Sequence, residues 1–255
     1  MITKEDQFLL KPVNAYEYCN PNTFKNIETV KVSVSRGDNG KDYSYAYKPA
    51  YEAYLNVSSM LADVNITTKL MSCARDAEDQ QYAIDELFKE NLAKTGNPEE
   101  ARRLTGETAA KIGYSEHHTG LAFDVAAPTS NATLDESFIN KYGASAGFEY
   151  KRYAFESNGF ILTYPADERL EEVTGMKKNE SWHWRYVGPE HSKMIRAIRL
   201  NASKILNEKH EVFLEDYWTL VNKYKLPQDA DLVEEYTQLF ITEILGRNLE
   251  ESITC

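Results

Sequence analysis

The chain has 255 residues, of which 42% are hydrophobic and 27% charged, the balance of an ordinary soluble globular protein with one large domain or two small ones. A net charge of −11 excludes nucleic acid as the main partner, because phosphate binding needs a basic face. Glycine and proline, at 12 and 8, are too few for a low-complexity chain, and no apolar run approaches the ~18 residues of a membrane span.

In chain order, residues 1–47 read as irregular or extended. Within them Thr29–Ser35 alternates Val30, Val32 and Val34 with polar residues, as in a half-buried strand. Arg36–Asp42 is rich in turn formers, and its Arg-Gly-Asp is read as a turn. A helix is predicted over 48–64, opened by Pro49, followed by a strand at Ile66–Ser72. Ala77–Thr95 places Ile84, Leu87, Phe88 and Leu92 at helical spacing, with Gly96 as its stop, and Pro98 opens a short helix to 105. Residues 120–127 read as a buried strand, and Thr133 as the cap of a helix carrying Leu134, Phe138 and Ile139. Phe160–Tyr164 and Trp182–Val187 have the aromatic and β-branched character of strands. Pro189 opens a long helix, and two helical segments near 211–224 and 231–246 complete the chain.

Strands and helices mix without a regular βαβ alternation or any internal repeat. That predicts a single α+β domain with a C-terminal helical extension. The divisions are 1–44, an N-terminal extended segment packed on the domain, then 45–222, the main domain, then 223–255, the helical extension, for which packing on the domain is expected. Cys19, Cys73 and Cys255 are too few for a disulfide framework, and a free buried thiol is expected at Cys73. The first residues carry no apolar signal region.

Chemistry concentrates around scarce histidines, five in all. His117 and His118 are adjacent in Ser115–Asp124, and His183 lies in Glu180–Tyr186. A hydrolytic zinc site takes three ligands from His and Asp/Glu, leaves one position for water, and needs a free carboxylate as base. His117, Asp124 and His183 supply two nitrogens and an oxygen, and Glu180 supplies the base. Gly120 allows the chain to bend between His117 and the strand carrying Asp124. Taken singly, each histidine is as compatible with a packed core position as with a ligand. Outside this group, His118 is expected in a solvent-facing or supporting place, and Trp182 and Trp184 on the face opposite His183. His191 and His210 are expected to have no functional role.

Ser115, His117, Gly120, Ala122 and Asp124, followed by Glu180, Trp182 and His183, form S-x-H-x-x-G-x-A-x-D and E-x-W-H, a pair that resembles the zinc D-alanyl-D-alanine carboxypeptidases of the VanY type and their L,D-carboxypeptidase relatives. Ser72, Arg75 and Gln80 resemble the family's S-G-Y-R-S-x-x-x-Q block, and Gly159–Pro165 its G-F-I-x-R-Y-P strand. The resemblance spans roughly residues 45–222. It implies a small, mainly antiparallel sheet flanked by helices, of the Hedgehog/D,D-peptidase kind. It further implies one Zn²⁺ held by His117, Asp124 and His183, with Glu180 as general base. Arg75 would hold substrate and stabilise the oxyanion, and Ser115 and Gln80 would contact substrate. The implied reaction removes a terminal D-alanine from peptidoglycan stem peptides, with D,D or L,D specificity. The implied setting is extracytoplasmic, facing the cell wall with the export signal trimmed, or alternatively cytoplasmic, and a monomer is expected. An endopeptidase of the same fold and a silent zinc-containing binding module are the alternatives. Cys73 and Ala74 replace Gly-Tyr, Thr163 replaces Arg and Ser181 replaces Pro, changes expected to alter the substrate-facing surface.

Overall fold

The computed structural model describes residues 3–35, 38–126, 144–224 and 230–248, so the helix expected at Thr133 lies outside the described residues. A four-stranded antiparallel sheet sits at the centre, in the order β3-β4-β6-β5, formed by Lys69–Ser72 (β3), Ala122–Ala126 (β4), Phe160–Leu162 (β5) and His183–Tyr186 (β6). A separate hairpin pairs Thr29–Ser33 (β1) with Tyr43–Tyr47 (β2).

Helix α2, Lys48–Ala62, presents Ala50, Tyr54, Val57 and Leu61 to the core, the i, i+4, i+7, i+11 stripe that a helix needs to bury one face. Helix α3 runs over Ala77–Thr95. Its N-terminus is capped by the Asp76 side chain, which accepts from the Glu78 and Asp79 amides, and it ends at Gly96 with φ of 64°. Helix α4, Pro98–Gly106, packs against α3. Helix α5, Ala144–Ser157, was not expected from the sequence. Its buried positions include Lys151 and Arg152 beside Ala154 and Phe155, so an apolar stripe is broken by charge. Phe155 stacks on Trp184 of β6 with ring centroids 4.0 Å apart. Together with Phe123 and Phe160 they form the centre of the first core cluster.

After the short helix α6, Leu170–Thr174, and β6, helix α7, Pro189–Leu206, leads into α8, Leu214–Tyr224, and α9, Val233–Leu239. These last helices and a π-helical turn at Phe240–Ile244 bury Ile195, Ile198, Tyr217, Leu220, Tyr236 and Phe240 in a second cluster with α7. The two helical segments expected at the C-terminus are thus present and packed on the domain. Glu156 of α5 joins Arg152 at 2.7 Å and Arg199 of α7 at 3.0 Å, tying the two clusters with buried charge. Among the described residues no helix is long and apolar enough to cross a membrane.

The N-terminal segment corrects the expectation of an extended chain. Lys4–Leu10 is a helix, α1, started by a capping box in which Thr3 and Asp6 exchange hydrogen bonds. Beyond it the chain becomes a strap across the domain. Asp6 meets His191 at 3.1 Å, Asn14 donates to Glu215 Oε1 at 2.7 Å, and Cys19 N–H donates to the Gly113 carbonyl at 2.7 Å. Cys19 and Cys73 are both buried free thiols.

Glu215 Oε2 is buried without a partner, and burial pushes the Glu215 carboxyl up to about 7 from an ordinary 4.5. A carboxyl whose folded pKa is raised stabilises the fold at pH below its unfolded value and loses that contribution as pH rises through 7. Glu215→Gln is therefore expected to gain stability over the parent at pH 8, by at most ~3 kcal/mol, and to lose the advantage near pH 5. Urea unfolding of both proteins at the two pH values measures it.

Candidate metal centre

Register places the first two ligand candidates. Asp124 on β4 lies directly opposite His183 on β6, and Ser72 on β3 lies opposite Asp124 on its other side. Directly opposed residues on an antiparallel pair hold their Cβ atoms ~4.5–5.5 Å apart, so the two side chains meet with no help from a loop. A register shift between Leu70 and Ser72 marks a bulge in β3 just before the chain leaves for Arg75.

His117 comes from the 3-10 turn Glu116–Thr119, which ends at Gly120 with φ of 75°. A Cβ on Gly120 would meet Phe24 Cβ at 3.0 Å, so the left-handed turn is both tight and crowded. The turn swings His117 Nε2 to 3.3 Å from Asp124 Oδ2, while His183 Nδ1 lies 3.1 Å from Asp124 Oδ1. The three residues predicted as ligands can each point one donor atom into a space where all lie within 4.8 Å of one another.

The remaining ring nitrogens face outward and are occupied. His117 Nδ1 bonds the Cys73 carbonyl, and His183 Nε2 lies 3.0 Å from Glu116 Oε2. Such outward partners fix which nitrogen is free for a cation. Burial, then Arg75, pushes the His117 imidazole down, which leaves it a neutral donor. Burial also pushes His183 down, but its hydrogen bonds to Asp124 and Glu116 prevail and raise it to about 10. Burial pushes Asp124 up, yet His117, His183 and Arg75 together hold it well below the usual carboxylate range. The site therefore combines a neutral imidazole, an ionised carboxylate and an imidazole that strongly attracts positive charge, a donor set that fits a divalent ion such as zinc.

Glu180 stands beside the triad with Oε2 3.8 Å from His183 Nδ1. Burial pushes its carboxyl up to about 7. Arg75 donates from Nε to Ser72 Oγ at 3.0 Å and from Nη2 to Asp124 Oδ2 at 2.8 Å. Its obvious sequence neighbour, Asp76, is instead engaged by Lys25 and by the α3 cap. His117, Asp124, His183, Glu180 and Arg75, with Ser115 and Gln80, line one cleft of about 1070 Å³. Gln80 is buried, donates from Nε2 to the Ala110 carbonyl, and leaves Oε1 without a partner.

The family model for VanY D-alanyl-D-alanine carboxypeptidases matches residues 44–189. The chain belongs to this family. A D-alanyl-D-alanine carboxypeptidase of Enterococcus faecalis is 35% identical over 133 residues, 52% of this chain and 45% of that protein. The chain spans under half the length of the curated relatives it matches, from 27% to 46%. A solved VanY D,D-pentapeptidase variant from the VanB-type resistance cassette, in complex with Zn(II), superposes with a TM-score of 0.61 at 25% identity, covering 83% of this chain and 99% of that one. An L,D-carboxypeptidase structure shares the fold, with a TM-score of 0.54 at 23% identity over 85% of this chain and 87% of that one.

Several positions differ from the expectation. Cys73, Ala74 and Thr163 are not among the residues that line the cleft, and Thr163 Oγ1 donates to Glu116 Oε2 beneath His183. Ser181 alone of the four departures lines the VanY cleft. Trp182 lies in the turn before β6, 43% exposed at the cleft, so the alternation of a strand does not apply to it, while Trp184 on β6 is fully buried. Of the two places expected for His118 it takes the supporting one: it is buried, braced between the Gly113 amide and the Arg75 carbonyl. His191 and His210 take up structural contacts with Asp6 and Glu208.

Glu116 and Arg185 are the residues that sequence reasoning missed. Burial pushes Glu116 up, but Arg185, His183 and Thr163 hold its carboxyl below the ordinary value. Arg185 Nη1 donates to Glu116 Oε1 at 3.2 Å, and Nη2 reaches the Leu9 and Lys11 carbonyls of the strap at 3.3 and 3.4 Å. An acid next to a candidate ligand and an arginine two residues past another were the available signals. Removing one partner of a buried pair leaves the other charge uncompensated. Arg185→Met is expected to lower stability by about 3–5 kcal/mol, read as a shift in urea midpoint at unchanged m-value. A loss under ~1 kcal/mol would show that His183 alone balances Glu116.

Proposed function

We propose that this protein is a zinc carboxypeptidase that removes the terminal D-alanine from peptidoglycan stem peptides outside the cytoplasmic membrane. The observation that carries the reading is the free carboxylate of Glu180 held beside the His117, Asp124 and His183 donors in an open cleft. A silent binding module has no use for a buried base at that place.

His117 Nε2, an Asp124 oxygen and His183 Nδ1 would hold the ion. Bound zinc supplies Lewis acidity, lowering the pKa of water and polarising the carbonyl under attack. Glu180 takes the proton of the attacking water as it adds to the carbonyl carbon of the last peptide bond. Its raised pKa suits a group that must then give the proton to the departing amine. Arg75 remains charged throughout, and its fork offers donors to the developing oxyanion or to the substrate carboxylate. The unpartnered Oε1 of Gln80 is an acceptor for a substrate N–H, and Ser115 offers a hydroxyl on the same wall. His118 and Glu116 act through others, setting the Arg75 backbone and the His183 ring.

Mass spectrometry of zinc-loaded protein with two stem peptides tests the reading. One peptide ends in D-Ala-D-Ala, the other in a single D-Ala after the diamino acid. Loss of alanine from the first marks D,D activity, and from the second L,D activity. Stoichiometric zinc with neither peptide changed would refute the carboxypeptidase reading for these substrates. Glu180→Gln is expected to retain zinc and to lose activity by about a hundred- to ten-thousand-fold. His183→Ala is expected to fall well below one zinc per chain in equilibrium dialysis against a chelator.

A further inference from the structure

Lys151 of α5 is 6% exposed, yet it lines the catalytic cleft together with Val125, Ser181 and Trp182. Its ammonium reaches only the Val125 and Ser181 carbonyls, each at 3.4 Å, and lies over the faces of Trp184 and Phe155 at 5.5 and 5.9 Å from the ring centroids. The other cations buried to the same degree are treated differently. Arg152, Arg185 and Arg199 each hold a carboxylate, at 2.6, 3.2 and 3.0 Å. Among the described residues no carboxylate pairs with Lys151. A buried ammonium with two long contacts and a third N–H unspent is costly to maintain. Burial alone lowers it to about 8, so it remains mostly charged at neutral pH.

Its position decides what would pay for it. Val125 follows the ligand candidate Asp124, and Ser181 follows Glu180, so the ammonium bonds the carbonyls of the residues next to two of the reacting groups. Because β3 and β4 are antiparallel, the chain beyond Ser72 carries Arg75 towards the start of β4. Lys151 closes on the cleft from the other direction, past Asp124 towards the end of β4. A peptide laid between them, its C-terminal residue towards Arg75, Ser115 and Gln80, brings its preceding residues to Lys151.

We propose that Lys151 anchors a carboxylate carried by the substrate on the N-terminal side of the scissile bond, namely the side-chain carboxylate of a diamino dicarboxylic acid in the stem. The protein then selects stems with that free carboxylate over stems in which it is an amide or in which lysine takes the place. This rests on the stem-peptide reading above.

Three stem peptides that differ only at the diamino acid test it: meso-diaminopimelate, its side-chain amide, and lysine. Each is assayed by kcat/KM with the zinc-loaded protein. Each is also titrated calorimetrically into zinc-loaded Glu180→Gln, which reads binding without turnover. The free carboxylate is expected to be preferred about tenfold or more, the scale of one charged hydrogen bond. The preference should appear mainly in KM and in Kd. Lys151→Met should collapse the ratio between diaminopimelate and lysine stems towards one, and Lys151→Arg should keep most of it. Equal use of the three stems by the parent protein would overturn the proposal, as would Lys151→Met lowering all three alike, the mark of a structural role or of a site for the terminal carboxylate. If no stem is cleaved but calorimetry keeps the preference and its loss in Lys151→Met, Lys151 stands and the carboxypeptidase reading falls. If calorimetry shows no preference either, both fall.

Discussion

The centre depends on keeping Asp124 ionised inside the protein. A buried carboxylate is stable only with polar or charged partners around it, and here three converge on it: His117, His183 and Arg75. Each arrives by a different route, from a 3-10 turn, from the opposing strand and from the segment beyond β3. The antiparallel register of β4 and β6 makes one meeting automatic, and the left-handed turn at Gly120 makes another. The donors in turn need their own supports, which is why Cys73, Glu116, Thr163 and Arg185 are committed to polar roles in the interior. A site of this kind recruits its surroundings in layers.

Much of this was legible in the sequence, and the reason is chemical. Only the histidines are scarce, five in all, so His117 and His183 draw attention on composition, whereas Asp124 and Glu180 are singled out from 40 acidic residues by the motifs that resemble the family. The secondary elements that carry them have strong local signals: the Val and aromatic content of the strands, Pro49 and Pro189 at helix starts, Gly96 at a stop. The supports were not legible. Glu116 and Arg185 look like surface residues until the fold buries them against each other, since nothing local to either announces a partner 69 residues away. The substitution Arg to Thr163 shows the same limit: its meaning lies in the space behind His183, which is a tertiary fact.

Helix α5 failed to announce itself for a related reason. Periodicity reads an interior face as apolar, whereas this helix turns Lys151 and Arg152 inward. Arg152 goes to Glu156 on its own helix and to Glu211 in the segment that leads into α8. Lys151 goes to the cleft. The C-terminal helices, by contrast, follow the apolar pattern closely, because they cover hydrophobic surface on α7.

The strap has a consequence for the order of events during synthesis. Asn14 finds its partner 201 residues later in the chain, and the Leu9 carbonyl finds Arg185 after 176. A chain made from its N-terminus therefore carries the strap unseated until nearly the whole domain has emerged, since contacts this distant must wait for the loop between them to close. The back of the metal pocket, where Arg185 joins Glu116 to the strap carbonyls, is among the last parts to become rigid. Maturation of the cleft therefore ends with a segment translated before the strands that it supports.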